Sequence, residues 1–295
     1  MAEMLRANLF DAKLVTDLIS KVQGKSSLAV LSKQVPVAFN GNKEFTFSLD
    51  SEIDVVAENG KKSHGGLTLE PVTIIPVKVE YGARVSDEFL YATEEEQIEI
   101  LKAFNDGFAK KVARGLDIMA MHGLNPRTGT ASAVIGTNHF DAKVTETVVY
   151  DATKVDANIE SAISLVEGAD CEVTGVAIAP EVRSALASMR NGTNDSKYPE
   201  FAFGGKPATL GAQTLDINST VAFGTTTKDK AIVGDFANMF KWGVAKQIPL
   251  EVIKYGDPDN TGKDLKGYNQ VYIRSEMYLG WAILNADSFA RVVAE

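Results

Sequence analysis

A single amphipathic pattern runs unbroken from residue 93 to residue 122. Leu101, Phe104, Phe108, Val112, Leu116 and Met119 recur in it at three- and four-residue spacing, which places them on one face of a helix. Thr93 and Glu96 form a capping box at its start, where Glu94 and Glu95 add charge that suits a helix amino end. Gly123 ends the pattern, with Pro126 beyond it. At about 1.5 Å per residue the helix is a rod on the order of 45 Å long. Gly107 and Gly115 either weaken the rod or let a neighbour pack closely against it. A rod buries little of its own surface, so other elements have to lie beside it.

A second thin element precedes it. The polar, glycine-rich stretch AENGKKSHGG (57–66) has a strand-like run on each side. Phe45, Phe47 and Leu49 alternate with polar residues, IDVVA (53–57) follows, and LTLEPVTIIPVKV (67–79) leads away. Asn59-Gly60 is a strong hairpin turn because both residues tolerate positive φ. The prediction is a long two-stranded arm, marginal in water unless it lies on something. Near the amino terminus, Phe10, Leu14, Leu18 and Val22 share one face of a short amphipathic helix, with Val15 and Ile19 beside them. That helix is either core or an arm that docks on a neighbour.

From residue 151 the pattern becomes mixed α/β. Asp151 or Thr153 is expected to cap a helix with Val155, Ile159, Ile163 and Val166 inward, ended by Gly168. VTGVAIA (173–179) reads as a buried strand that Cys171 opens as a core residue, and Pro180 starts a helix to about Met189. Residues 191–205 read as a loop, and TLGAQTLDI, VAFG, KAIVGDF, MFKWGV and IPLEVIKY as short strands. After the turn-rich DPDNTGKDLKG (257–267), the last segment reads as two long strands or a strand and a helix. The centre is compact and the flanks are thin, the pattern of a chain that packs against copies of itself.

The chain has 295 residues, 45% of them apolar, enough for a real core. A net charge of −9 argues against general nucleic-acid binding, which needs basic residues to release counterions. No apolar run is long enough to span a membrane, and the first residues lack the apolar core of a signal peptide. One cysteine permits no internal disulfide and fits a reducing site of synthesis.

Enzyme signatures are weak. Gly205-Lys206 is followed by Pro207, and Glu200 stands where a phosphate loop needs its first glycine. His139 and Asp141 have metal-like spacing without a third ligand, which reads as a solvated turn. Asp257, Asp259, Thr261 and Gly262 open like a calcium loop, but Tyr268 occupies the position of the closing glutamate. No cofactor or metal is expected.

Several stretches, taken in order, resemble one family: the amino-terminal helix, the hairpin, ARVSDEFL (83–90), the rod, the α/β centre, VGDFANMFKWGVAKQIPLEV (233–252), a polar turn, and YNQVYIRSEMYLGWAILNADSFARVV. The chain resembles the major capsid proteins of tailed bacteriophages, with the α+β Hong Kong 97-type fold. The resemblance implies an N-arm (1–35), an extended-loop hairpin with flanking strands (36–80), a peripheral domain with its spine helix (81–149, spine 93–122), an axial domain (150–252) and peripheral return strands (253–295). It also implies assembly as pentamers and hexamers into an icosahedral head in the host bacterial cytoplasm, around double-stranded DNA that is held without specific binding. Portal, scaffolding and decoration proteins are the implied partners, with no membrane. Asn59, Gly60, Lys61 and Lys62 at the hairpin tip, with Phe10, Leu14 and Leu18, become the expected inter-subunit contacts.

Some members of the family lock the shell with an isopeptide bond. By motif, Lys62 falls at the lysine position, Asn269 at the asparagine and Glu276 at the assisting base, with Val271, Ile273 and Met277 as an apolar surround. The bland alternatives are a soluble hairpin tip, a turn asparagine and a glutamate paired with an arginine. Relatives with a scaffolding segment carry it before the N-arm; here Met1 lies close to the helix, so scaffolding is expected to be separate, unneeded or trimmed. Two alternatives stay open. One is an encapsulin-type compartment of the same fold, loaded with protein cargo. The other is an α+β enzyme with Asp257, Asp259 and His139 around a metal.

Overall fold

A computed structural model describes residues 26–49, 52–224 and 228–295. Phe10, Leu14 and Leu18 therefore lie outside the described residues. Among those described, eleven strands form three sheets. The first sheet is the hairpin alone: β1 (Asn42–Leu49) pairs antiparallel with β2 (Leu67–Ile74). The second has the order β3-β10-β9, built from β3 (Val77–Ser86), β10 (Gln270–Ile283) and β9 (Phe240–Ile253). The third has the order β4-β11-β8-β5-β7-β6, with β4 (Thr147–Val149), β11 (Phe289–Val293), β8 (Asp229–Gly234), β5 (Gly175–Ile178), β7 (Gln213–Ile217) and β6 (Thr209–Leu210).

Among the described residues a five-residue helix, α1 (Ser27–Leu31), comes first, and the rod is α2 (Glu94–His122). Its predicted capping box is present: the Glu96 N–H donates to Thr93 Oγ1 at 3.4 Å, and the Thr93 N–H to Glu96 Oε2 at 3.3 Å. Gly123 closes the rod with φ +67°, and a Cβ there would strike the His139 ring. The two halves of α2 differ. From Phe108 to Met121 most positions are buried in the main hydrophobic core, whereas before Phe108 Leu101 is buried, with Phe104 partly covered beside it.

Asp117, on the inner half of α2, is completely buried and gathers five donors. The Ser26 hydroxyl, the N–H groups of Ser27 (2.9 Å) and Leu28 (3.2 Å), the Thr220 hydroxyl (2.7 Å) and the Asn218 amide (3.4 Å) all point at it. A carboxylate here satisfies the orphan N–H groups that open α1. Burial nevertheless pushes the Asp117 pKa up to about 6, against the pull of those donors. The result ties residue 26 to the rod and to the loop after β7.

Helices α3 (Phe140–Lys143), α4 (Val155–Gly168), α5 (Pro180–Ser188) and α6 (Phe236–Met239) complete the fold. Phe140, Phe236, Phe240 and Phe289 meet at ring separations of 5.0–5.9 Å and join α3, α6, β9 and β11. The helix predicted from 151 appears as α4, but Lys154 is its N-cap, while Asp151 Oδ1 accepts the Thr153 N–H in a local turn. Cys171 lies before β5 rather than on it, and is half-buried. VAFG forms a turn, since residues 221–224 have no strand to pair with.

The expected runs MFKWGV and IPLEVIKY are one strand, β9. Pro249 lacks an N–H, yet β9 tolerates it because it is an edge strand and the register against β10 shifts there, between Glu251 and Ile248. The division at residues 252 and 253 also differs from the sheets. β9 leaves the centre at Phe240 to join the three-stranded sheet, and β11 returns to the six-stranded sheet, where it covers the edge of β8. Apart from Arg291, β11 is apolar, and it pairs with β8 on one side and β4 on the other, which periodicity alone does not distinguish from a return strand.

Candidate inter-subunit surfaces

The hairpin is firmly rooted. Val37, Ile74 and Ala282 form a small core at its base. Asn42 fixes the turn into β1: its Oδ1 accepts the Ala38 N–H and its Nδ2 donates to the Pro36 carbonyl, both at 2.8 Å. Gly41 needs its φ of +87°, since a Cβ would sit 2.7 Å from the Ile74 carbonyl. Pro76 then separates β2 from β3, so the expected continuous run 67–79 turns from the arm into the three-stranded sheet.

Beyond the root the arm is bare. The register pairs Phe45 with Pro71, so Phe45 shares a face with Leu67 and Leu69. These side chains are 60%, 64% and 57% exposed. The ladder stops at Leu49 and Leu67, so IDVVA does not form the expected strand. Its would-be partners on the returning leg are Gly, Lys and Ser, which pair poorly. Ile53 and Val55 are left 94% exposed. A turn forms one residue earlier than expected, with Glu58 and Asn59 at its centre: Asn59 has φ +64°, the Gly60 N–H donates to the Ala57 carbonyl at 2.8 Å, and Gly60 itself does not take a positive φ. Lys61 and Lys62 stand exposed just past it.

The three residues named for a crosslink are not gathered in one chain. Lys62 is on the arm's tip. Asn269 precedes β10 in a left-handed conformation, φ +52°, with its carbonyl accepting the Asp87 N–H at 2.9 Å. Glu276 lies seven residues further along an extended strand, roughly 20 Å away at about 3.3 Å per residue. Its carboxylate is mostly buried and already partnered by Lys78 Nζ at 2.9 Å and Arg274 Nε at 3.4 Å. The hydrogen bond to Glu276 holds the Lys78 pKa above its usual value. Val271, Ile273 and Met277 are buried, Val271 and Ile273 in a cluster with Leu101, Phe89 and Leu250 and Met277 in the main core.

Nor do Asp257, Asp259 and His139 meet. The two aspartates close on Arg84, whose Nη2 donates to Asp257 Oδ1 at 2.6 Å and whose Nε donates to Asp259 Oδ2 at 2.9 Å. That hydrogen bond lowers the Asp259 pKa. The polar turn is thus an ion-paired clasp on β3. His139 is the N-cap of α3 and packs against Gly123 instead, so the expected solvated turn is half-buried.

Asp141 does find partners, which sequence spacing did not reveal. His122 Nδ1 lies 3.0 Å from Asp141 Oδ2 and 3.9 Å from Asp229 Oδ2. His122 Nε2 donates to the Thr220 carbonyl at 2.9 Å. Arg291 Nη1 donates to Asp141 Oδ1 and Asp229 Oδ1, each at 3.0 Å. Burial lowers the His122 pKa, but the Asp141 hydrogen bond and charge outweigh it and raise the value overall. Burial and the facing Asp141 raise that of Asp229. The four residues come from four separate segments, so the one available hint was that charged Arg291 sits in the otherwise apolar strand β11.

Among the described residues no helix is long and apolar enough to cross a membrane. No curated protein sequence matches the chain. A solved structure from Mycobacterium phage Ogopogo is similar over 92% of each chain, at 33% identity and a TM-score of 0.77. One from Gordonia phage Cozz covers 92% of this chain and 87% of its own, at 24% identity and a TM-score of 0.76. The capsid of a native GTA particle covers 91% and 89%, at 15% identity and a TM-score of 0.66. The last two speak to the fold, which is the Hong Kong 97 type. The phage capsid family model matches residues 7–294. With that span and a structural relative at 33% identity, the chain belongs to the phage capsid family, as a structural major capsid protein.

Proposed function

We propose that this chain builds the wall of a tailed-phage head by packing against copies of itself, as pentamers and hexamers in a closed icosahedral shell around double-stranded DNA. The observation that carries the reading is the arm. A ribbon rooted by its own core, with an apolar face left bare, is stable when a second copy covers that face. In this reading the hairpin is the extended loop, the three-stranded sheet and the outer half of α2 form the peripheral domain, and the six-stranded sheet with its helices forms the axial domain. The net charge of −9 suits a wall that must enclose DNA without gripping it. A portal belongs to such a head, and separate scaffolding or decoration proteins are compatible with it.

The contact between copies is noncovalent in this proposal. An isopeptide bond would need the Lys62 amine, deprotonated by Glu276, to attack the Asn269 carboxamide and expel ammonia. The pairing of Glu276 with Lys78 and Arg274 favours a structural carboxylate over a free base. Light scattering after size exclusion, with electron microscopy of the largest species, tests the shell reading. Hollow symmetric particles or rings are expected, and a strict monomer or dimer under every assembly condition would count against it. Boiling the particles in detergent tests the noncovalent contact: single subunits are expected, and ladders would establish the crosslink.

A further inference from the structure

We propose that His122, Asp141 and Asp229 form a binding site for a divalent transition-metal ion of the zinc class, which would fasten the end of the rod to the six-stranded sheet. One ligand atom from each residue lies within 4.8 Å of the other two. Around a zinc ion at about 2.0–2.2 Å, tetrahedral ligand atoms sit roughly 3.3–3.6 Å apart. The separations of 3.0 and 3.9 Å from His122 Nδ1 bracket that spacing.

Three further observations point at a cation. Asp229 is 1% exposed, and its Oδ2 has no hydrogen-bond partner. A buried carboxylate oxygen without a donor is costly, and a metal ion would satisfy it. The histidine is set up as a ligand: its Nε2–H is spent on the Thr220 carbonyl, which turns Nδ1 toward the two carboxylates. Arg291 takes the Oδ1 atoms of both aspartates and leaves both Oδ2 atoms facing inward, the role of an outer group that orients ligands.

With a neutral imidazole, two carboxylates and one guanidinium leave a net negative charge in a buried site. Asp141 keeps 25% of its side chain exposed, which gives an ion a way in and leaves room for a water as fourth ligand. One imidazole with two carboxylates suits zinc or cobalt, whereas calcium and magnesium favour oxygen ligands in larger number.

The test uses the full-length purified protein, stripped with a chelator, with Zn²⁺ and Co²⁺ alone as probes. Calorimetry is expected to show one saturable zinc site per chain. The thermal midpoint should climb with the logarithm of free zinc above the dissociation constant. Co²⁺ should give visible ligand-field absorption, which zinc abolishes. Asp229→Asn should weaken binding at least tenfold, while Asp257→Asn in the Arg84 clasp should leave it unchanged. Equal binding by wild type and Asp229→Asn would overturn the site, as would the lack of a saturable site at millimolar metal. If Asp229→Asn does not fold, X-ray absorption on the zinc-loaded wild type decides. One imidazole nitrogen with carboxylate oxygens supports the site, and water-only or two-histidine coordination refutes it.

Discussion

The hairpin and the inner half of the rod are both amphipathic, yet they end in opposite circumstances. From Phe108 onward α2 is packed into the main hydrophobic core, with Phe108, Val112, Leu116 and Met119 all buried. The hairpin carries a comparable apolar face at Phe45, Leu67 and Leu69, and among the described residues that face stays mostly exposed. The difference separates two jobs. In the proposed shell, one set of apolar residues makes the subunit, and the other serves contact between subunits. Damage to the first should therefore appear in unfolding and damage to the second in assembly.

The largest expected effect breaks assembly alone. Removing residues 58–66, or introducing Leu69→Glu, should abolish or cripple shell formation by light scattering. The unfolding free energy of the free subunit should stay within about 0.5 kcal/mol, as for surface changes generally. Normal, heat-resistant particles from the deletion would erase the distinction. Next comes Asp117→Ala, which should cost roughly 2–4 kcal/mol in urea unfolding by stranding the buried Ser27 and Leu28 N–H groups.

A smaller effect concerns pH. The folded pKa of His122 lies above the unfolded 6.5, so its protonation favours the folded state. That contribution is complete below pH 6.5 and is lost as pH rises through the folded value. The raised Asp229 pKa acts with the same sign. Urea midpoints in chelator should fall from pH 6 toward pH 9, less steeply in His122→Gln, and deletion of the arm's tip should not alter the slope. The smallest effect is a gain. A Cβ at Gly107 meets nothing within 4 Å, so Gly107→Ala should stabilise the subunit by about 0.5–1 kcal/mol by thermal unfolding. No gain, or impaired assembly instead, would show that the outer half of the rod reserves that space for a neighbour.

Legibility from sequence follows the range of the interaction. The rod's two ends were readable because Thr93, Glu96 and Gly123 act within a single turn of chain. The Asn59 turn was readable to within one residue for the same reason. The stop of the ladder at Leu49 was not, because a strand exists only where the opposite leg pairs with it, and residues 57–66 do not. The union of MFKWGV and IPLEVIKY depended on β10 as a template. Among the site residues, Lys62 was readable as an exposed tip lysine. The partners of Glu276 were not, since Lys78 reaches it across strands nearly 200 positions apart. The His122 junction draws on residues 122, 141, 229 and 291, a convergence that no spacing rule encodes.

The central position of β10 has a mechanical consequence. Gln270–Leu279 pairs with Val77–Ser86 on one side, and Tyr272–Ile283 pairs with β9 on the other. Both ladders are antiparallel and run along the strand rather than at its tip. A pull along β10 must therefore shear many rungs at once, whereas a pull across it would peel them singly. Residues 284–288 then lead from β10 into β11 of the six-stranded sheet, so a lengthwise load entering at one sheet leaves through the other by covalent chain. In the proposed shell, tension applied along β10 would therefore meet this sheet in the direction in which it yields last.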